Sequence, residues 1–185
     1  MDTHKRDPLL TAAQLLLYFF IGVLCFAVVM VGIGIPAAVI FQDRIVAEAA
    51  AHGVTSGPEL VGAILVLLVA TAAVLALAAY FLILLLRIVD SVKQGDPIVA
   101  INAERLSRMG WVALVGQLAA IPVGAMILWV AEVAKDAKDL GVEAVHLKGD
   151  FGIDGSSILL VLILFILARV FRKGAEMREE LEGTV

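Results

Sequence analysis

The sequence predicts an all-α integral membrane protein, a four-helix bundle with both termini in the cytoplasm and a short cytoplasmic interfacial helix between the second and third helices. Three observations predict it. Of 185 residues, 62% are hydrophobic and 17% charged, and the mean hydropathy is +1.02; soluble domains average roughly 45–50% apolar and about 25% charged residues. The charged residues are confined to short segments between long uncharged runs. The basic residues, finally, divide unequally between those segments. A chain this small folding in water could not bury so much apolar surface. A bilayer removes the difficulty by serving as the apolar solvent.

The first uncharged run covers residues 8–42, between Asp7 and Asp43. Its 35 residues exceed the roughly 20 needed to cross a 30 Å hydrocarbon core. It is also too long for a secretory signal, whose apolar region spans about 7–15 residues, so it reads as an uncleaved anchor. Pro36 is expected to kink this helix or mark its exit from the bilayer. Residues 41–51 continue as helix outside and stop at Gly53. The second run, residues 60–86, lies between Glu59 and Arg87, with Pro58 suited to the helix start. The third, residues 109–131, lies between Arg108 and Glu132. Only 14 residues, 155–168, are uncharged in the fourth, and reaching Phe171 brings in Arg169, whose long side chain can snorkel to the headgroups.

Charge distribution decides the fourth crossing. Cytoplasmic segments carry excess Lys and Arg near the membrane. With four crossings, the N-terminus, middle loop and C-terminus share one side and hold Lys5, Arg6, Arg87, Lys93, Arg105, Arg108, Arg169, Arg172, Lys173 and Arg178. The other side keeps Arg44, Lys135, Lys138 and Lys148. The resulting layout is one domain, 1–185, with helices near 10–41, 60–89, 109–133 and 155–172. Outer loops are 42–59 and 134–154, the cytoplasmic loop is 90–108, and the cytoplasmic tail is 173–185.

Within the middle loop, Asp96 and Pro97 read as an N-cap with proline at the first helical position. Ile98, Ile101, Leu106 and Met109 then share one broad face, with Glu104, Arg105 and Arg108 largely opposite. This is the pattern of the interfacial helix, leading into the third crossing through Trp111. The segment 132–140 reads as a charged extension closed by Gly141, and 142–157 as irregular.

Candidate chemistry is sparse. No G-x-S-x-G, H-E-x-x-H or phosphate-binding loop occurs. His52 and His146 share a side with Glu143, Asp150 and Asp154, while His4 lies on the other, and nothing in their spacing brings metal ligands together. A solvated acidic loop is the plainer reading. The single Cys25 lies inside an apolar run and excludes an intramolecular disulfide. The three long runs hold no ionisable carboxylate, lysine, arginine or histidine. Gln117, five residues before Pro122, is the intramembrane polar contact to consider, either as an interhelical hydrogen bond or as the lining of a transport path. Gly116, Ala120 and Gly124 form a small-residue stripe that suits close helix packing. In the tail, Arg169, Arg172 and Lys173 suit anionic headgroups, and Glu176, Glu179, Glu180 and Glu182 make an acidic end.

The run Gly95-Asp96-Pro97-Ile98 followed by Asn102 and Leu106, and the ending Phe171-Arg172-Lys173-Gly174 through Glu180 to Thr184-Val185, resemble the DUF2975 family of small bacterial four-helix membrane proteins over nearly the whole chain. This chain has Ile98 where members commonly carry Phe, and Glu182-Gly183 before the final Thr184-Val185 where they carry an acidic residue and Leu. The resemblance implies a multi-pass protein of the bacterial inner membrane. Family genes often lie beside a small helix-turn-helix regulator, which implies a membrane partner for a cytosolic DNA-binding protein.

Two functional classes follow. The first is a non-enzymatic membrane regulator that itself binds no nucleic acid. Its partner-binding residues would be Asp96, Asn102, Arg105, Glu176, Glu179, Glu180 and Glu182. The second is a small transporter or channel subunit using Gln117 and the Pro122 kink. The sparse intramembrane polarity favours the first. The bilayer is the expected partner in both, homo-oligomers remain open, and no cofactor, metal or catalytic residue is implied.

Overall fold

The computed structural model describes residues 8–51, 57–95, 97–135 and 155–182. Within them lie five helices: α1 (Pro8–Ile40), α2 (Gln42–Ala51), α3 (Gly57–Lys93), α4 (Ala100–Lys135) and α5 (Gly155–Glu182). Helices α1, α3, α4 and α5 are long and apolar enough to cross a membrane, and the most apolar stretch of each is no more than 11% buried within the protein. Leu9, Phe19, Phe26, Ile40, Leu159 and Val170 are among the large side chains left exposed. In water that surface would be unfavourable by roughly 25 cal/mol per Å²; in lipid it is where such side chains belong.

The chain divides into two compact units; α1, α3 and α4 each contribute to both, and α5 belongs to the first alone. Unit 1 comprises residues 1–25, 77–117 and 154–185. Its core is Leu84, Leu106, Met109, Leu164 and Ala168, with Phe81, Leu85, Ile88, Ala113 and Phe171 packed around it. Successive helices run antiparallel here. Gln14 of α1 meets Asp90 and Lys93 of α3. Asn102 of α4 meets Ser91, while the Phe165 ring of α5 lies edge-on to Trp111 of α4, centroids 5.6 Å apart. A Cβ added at Gly110 would sit 3.1 Å from that ring, and one at Gly174 would sit 3.0 Å from Ile98 Cγ2. Both glycines therefore mark close approaches between α5 and the α3–α4 connection or α4 itself.

Unit 2 comprises residues 26–76 and 118–153. A Cβ added at Gly34 of α1 would meet the Leu68 side chain of α3 at ordinary contact distance, and Ala38, Ala49, Val61 and Ala63 are buried. Helix α1 passes through Pro36 and ends only at Ile40. Proline removes one donor without ending the helix, and beyond it Phe41 N donates to Ala37 O and Ile45 N to Phe41 O, both at 3.0 Å, carrying the ladder into α2. Pro122 likewise lies inside the unbroken α4.

The connection between α3 and α4 differs from the sequence expectation. Pro97 is not the first helical residue; α4 starts at Ala100, with Asn102 N donating to Val99 O at 2.9 Å. The segment expected as a separate interfacial helix is instead the first turns of α4. Ala103, Leu106 and Met109 recur every three residues on its buried face and are held by unit 1's core, so nothing interrupts the helix before the apolar stretch. At the other end α5 continues ten residues beyond the expected Arg172 boundary, to Glu182. Residues 142–154, with Glu143, His146, Asp150 and Asp154, lie outside the described residues, as do His4, His52, Gly53 and Gly141.

Candidate functional site

The polar side chains of unit 1 collect where α1 begins, α3 ends, α4 begins and α5 ends. Gly95 shapes this place. Its φ of +89° lies in the left-handed region that a Cβ disfavours. Gln94 N still donates to Asp90 O, and Gly95 N to Val92 O, both at 3.1 Å, which closes α3 in the manner of a glycine cap.

Two hydrogen-bond sets follow. In the first, Gln14 Nε2 donates to Asp90 Oδ1, and Lys93 Nζ donates to Gln14 Oε1 at 2.7 Å. A neutral amide thus bridges a carboxylate and an ammonium on α3, using a donor for one and an acceptor for the other. The second set centres on Asn102, which is 0% exposed. Its Nδ2 donates to Ser91 Oγ and to Pro97 O at 3.0 Å. Arg105 Nη1 donates to Asn102 Oδ1 and to Arg87 O, each at 2.9 Å. Ser91 Oγ donates onward to Ile88 O at 2.8 Å. No buried side-chain nitrogen or oxygen among the described residues is left without a partner. A satisfied buried network of this kind holds a unique geometry.

The residues named from sequence are placed unequally. Asn102 is sealed inside and clamps the connection to α3, so its side chain offers nothing to a partner; the fully satisfied amide replaces the contact role expected for it. Arg105 is half-buried and ties α4 to the end of α3. Glu176, Glu179 and Glu180 are exposed on the last turns of α5, with Lys173 Nζ donating to Glu176 Oε2 at 3.2 Å. Asp96 and the side chain of Glu182 lie outside the described residues. Gln117 is half-buried at the middle of α4, away from this cluster. Sequence reasoning missed Gln14, Asp90 and Ser91. Gln14 was the detectable one, a hydrogen-bonding side chain near the start of an otherwise apolar run.

The two sequence motifs prove to be one junction. Ile98 lies against Gly174, and Leu106 belongs to the core on which Phe171 packs. Gly95, Asn102 and Gly174 thereby acquire structural reasons: a left-handed turn, a buried amide and a close approach.

An all-α fold with four helices long and apolar enough to cross the bilayer, three of them (α1, α3 and α4) linked by polar side chains, defines a multi-pass membrane protein. The chain belongs to the family described as protein of unknown function (DUF2975), whose sequence pattern matches residues 39–185. The match takes in both motifs and begins near the end of α1, so it covers less of the chain than the motifs implied. No curated protein and no solved structure matches the chain.

Proposed function

We propose that the protein is a non-enzymatic regulator of the bacterial inner membrane, with both termini cytoplasmic, that docks a small basic DNA-binding protein on the acidic end of α5. The observation that carries this reading is the exposed helical tip. Residues 176–181 are exposed throughout, Met177 by 50% and Leu181 by 73%. Helical spacing groups Glu176, Glu179 and Glu180 on one side, with Met177 and Leu181 beside them. An acidic edge flanking two apolar side chains complements a basic surface that itself has an apolar centre.

The orientation rests on the positive-inside rule. Arg87, Lys93, Arg105, Arg108, Arg169, Arg172 and Lys173 all belong to unit 1. The cytoplasmic surface then holds the first turns of α4, the α3–α4 connection and the tip of α5. Lysines and arginines that meet DNA phosphates are the groups an acidic tip would attract, so docking and DNA binding would compete.

The test compares the detergent-solubilised full chain with a variant carrying Glu176→Gln, Glu179→Gln and Glu180→Gln in pull-downs from lysate. The expected result is a DNA-binding protein retained by the native chain, displaced by added duplex DNA and by salt, and lost from the variant. Recovery of the same proteins by both chains, or of no DNA-binding protein by either, would overturn the proposal.

A further inference from the structure

Between α4 and the middle of α5, unit 1 holds an open cavity of about 620 Å³ lined by Ser107, Phe165, Ala168, Arg169, Arg172, Lys173 and Glu176. Its two ends differ in chemistry. Phe165 and Ala168 give an apolar floor and belong to the stretch of α5 able to cross the bilayer. About one to two turns beyond Phe165, Arg169, Arg172 and Lys173 supply three cations, and Ser107 adds a hydroxyl from α4. Glu176 pairs with Lys173 at 3.2 Å. Arg169 and Arg172 make no hydrogen bond or ion pair among the described residues. Two exposed guanidiniums thus line one cavity whose single carboxylate, Glu176, is already paired with Lys173.

We propose that this cavity is a phosphate-binding site for the headgroup of an anionic phospholipid, with the first segment of an acyl chain lying along Phe165 and Ala168. A guanidinium presents a planar fork of donors that matches two phosphate oxygens at once, and it is less strongly hydrated than an ammonium. Placing Arg169 three residues before Arg172 brings both to one face of α5, within reach of a single phosphate. The Ser107 hydroxyl donates to a third oxygen. The apolar floor distinguishes the lipid from free phosphate, because only a lipid has a chain to cover it. The narrow approach that Gly110 permits between α4 and Phe165 sets the depth of the floor.

The experiment measures the melting temperature and the lipid adducts in native mass spectra of the detergent-solubilised full chain. It is titrated with short-chain phosphatidylglycerol, phosphatidylcholine or inorganic phosphate. Phosphatidylglycerol is expected to raise the melting temperature and to persist as a single adduct, with phosphatidylcholine and phosphate far weaker. Arg169→Gln and Arg172→Gln should each weaken phosphatidylglycerol binding by roughly tenfold, as expected for one charge-assisted pair lost. Arg178→Gln, whose arginine does not line the cavity, should leave it unchanged. Both substituted arginines are exposed, so the variants retain the fold, and their ligand-free melting temperatures verify that. Equal effects of phosphatidylglycerol and phosphatidylcholine, equal losses in all three variants, or stabilisation by phosphate alone to the same extent would each overturn the lipid site.

Discussion

Gly95 and Asn102 act at a single turn, and each has its own consequence. Holding any residue with a Cβ in the left-handed region costs roughly 1–2 kcal/mol, and Gly95 has a φ of +89° with open space around it. Gly95→Ala is therefore expected to lower stability by that amount through backbone strain alone, read as a drop in melting temperature in detergent. Asn102 tests a different force. Asn102→Ala removes a buried amide that bonds half-buried Ser91 and Arg105 and the Pro97 carbonyl, and its loss is expected to cost about 1–3 kcal/mol. Asn102→Asp keeps the shape but sets a carboxylate oxygen against the Pro97 carbonyl, one acceptor–acceptor contact. The Ser91 hydroxyl can turn to donate and Arg105 keeps its acceptor, so aspartate should destabilise less than alanine. An Asn102→Ala protein as stable as the native one would show that the clamp is dispensable.

At the scale of helices, α4 and α5 are held together by glycines that admit bulky neighbours. Gly110→Leu would drive a side chain into the Phe165 ring, which lies 3.1 Å from where even a Cβ would stand. Overpacking of this kind costs typically about 1–3 kcal/mol. Combining Gly110→Ala with Phe165→Leu should recover part of the loss from Gly110→Ala alone, a positive coupling measurable in a double-mutant cycle. The small-residue stripe gives the contrast. Gly116 has nothing within 4 Å of an added Cβ, so Gly116→Ala is expected to be neutral or slightly stabilising through helix propensity. A large loss there would mean that the Gly116 face is covered in the membrane. Sequence spacing pointed to Gly116 and passed over Gly110; only the antiparallel register of α4 and α5 brings Phe165 to Gly110.

For the whole molecule, the expected topology follows from the unequal distribution of arginine and lysine. Reporter fusions within residues 92–94 and after Glu182 should report cytoplasm, and a fusion near Gly53 the opposite side. A C-terminal fusion reporting the outside would reverse the placement of the α5 tip and remove the docking proposal with it. Docking itself should weaken as salt rises, since exposed charges are screened over about 8–10 Å at physiological ionic strength. The sequence by itself determined the class of protein, because hydropathy and length are properties of consecutive residues and a bilayer reads them helix by helix. It also separated the basic segments from the rest, for the same reason. What the tertiary structure decided is the meaning of the motifs. Ile98 and Gly174 lie 76 residues apart in sequence and in contact in space, and Asn102 is polar by type and buried by position. Such facts depend on which turns of antiparallel helices fall opposite one another. That register is set by the fit of side chains such as Leu84, Leu106 and Leu164 in a common core, and no count along one strand of sequence contains it.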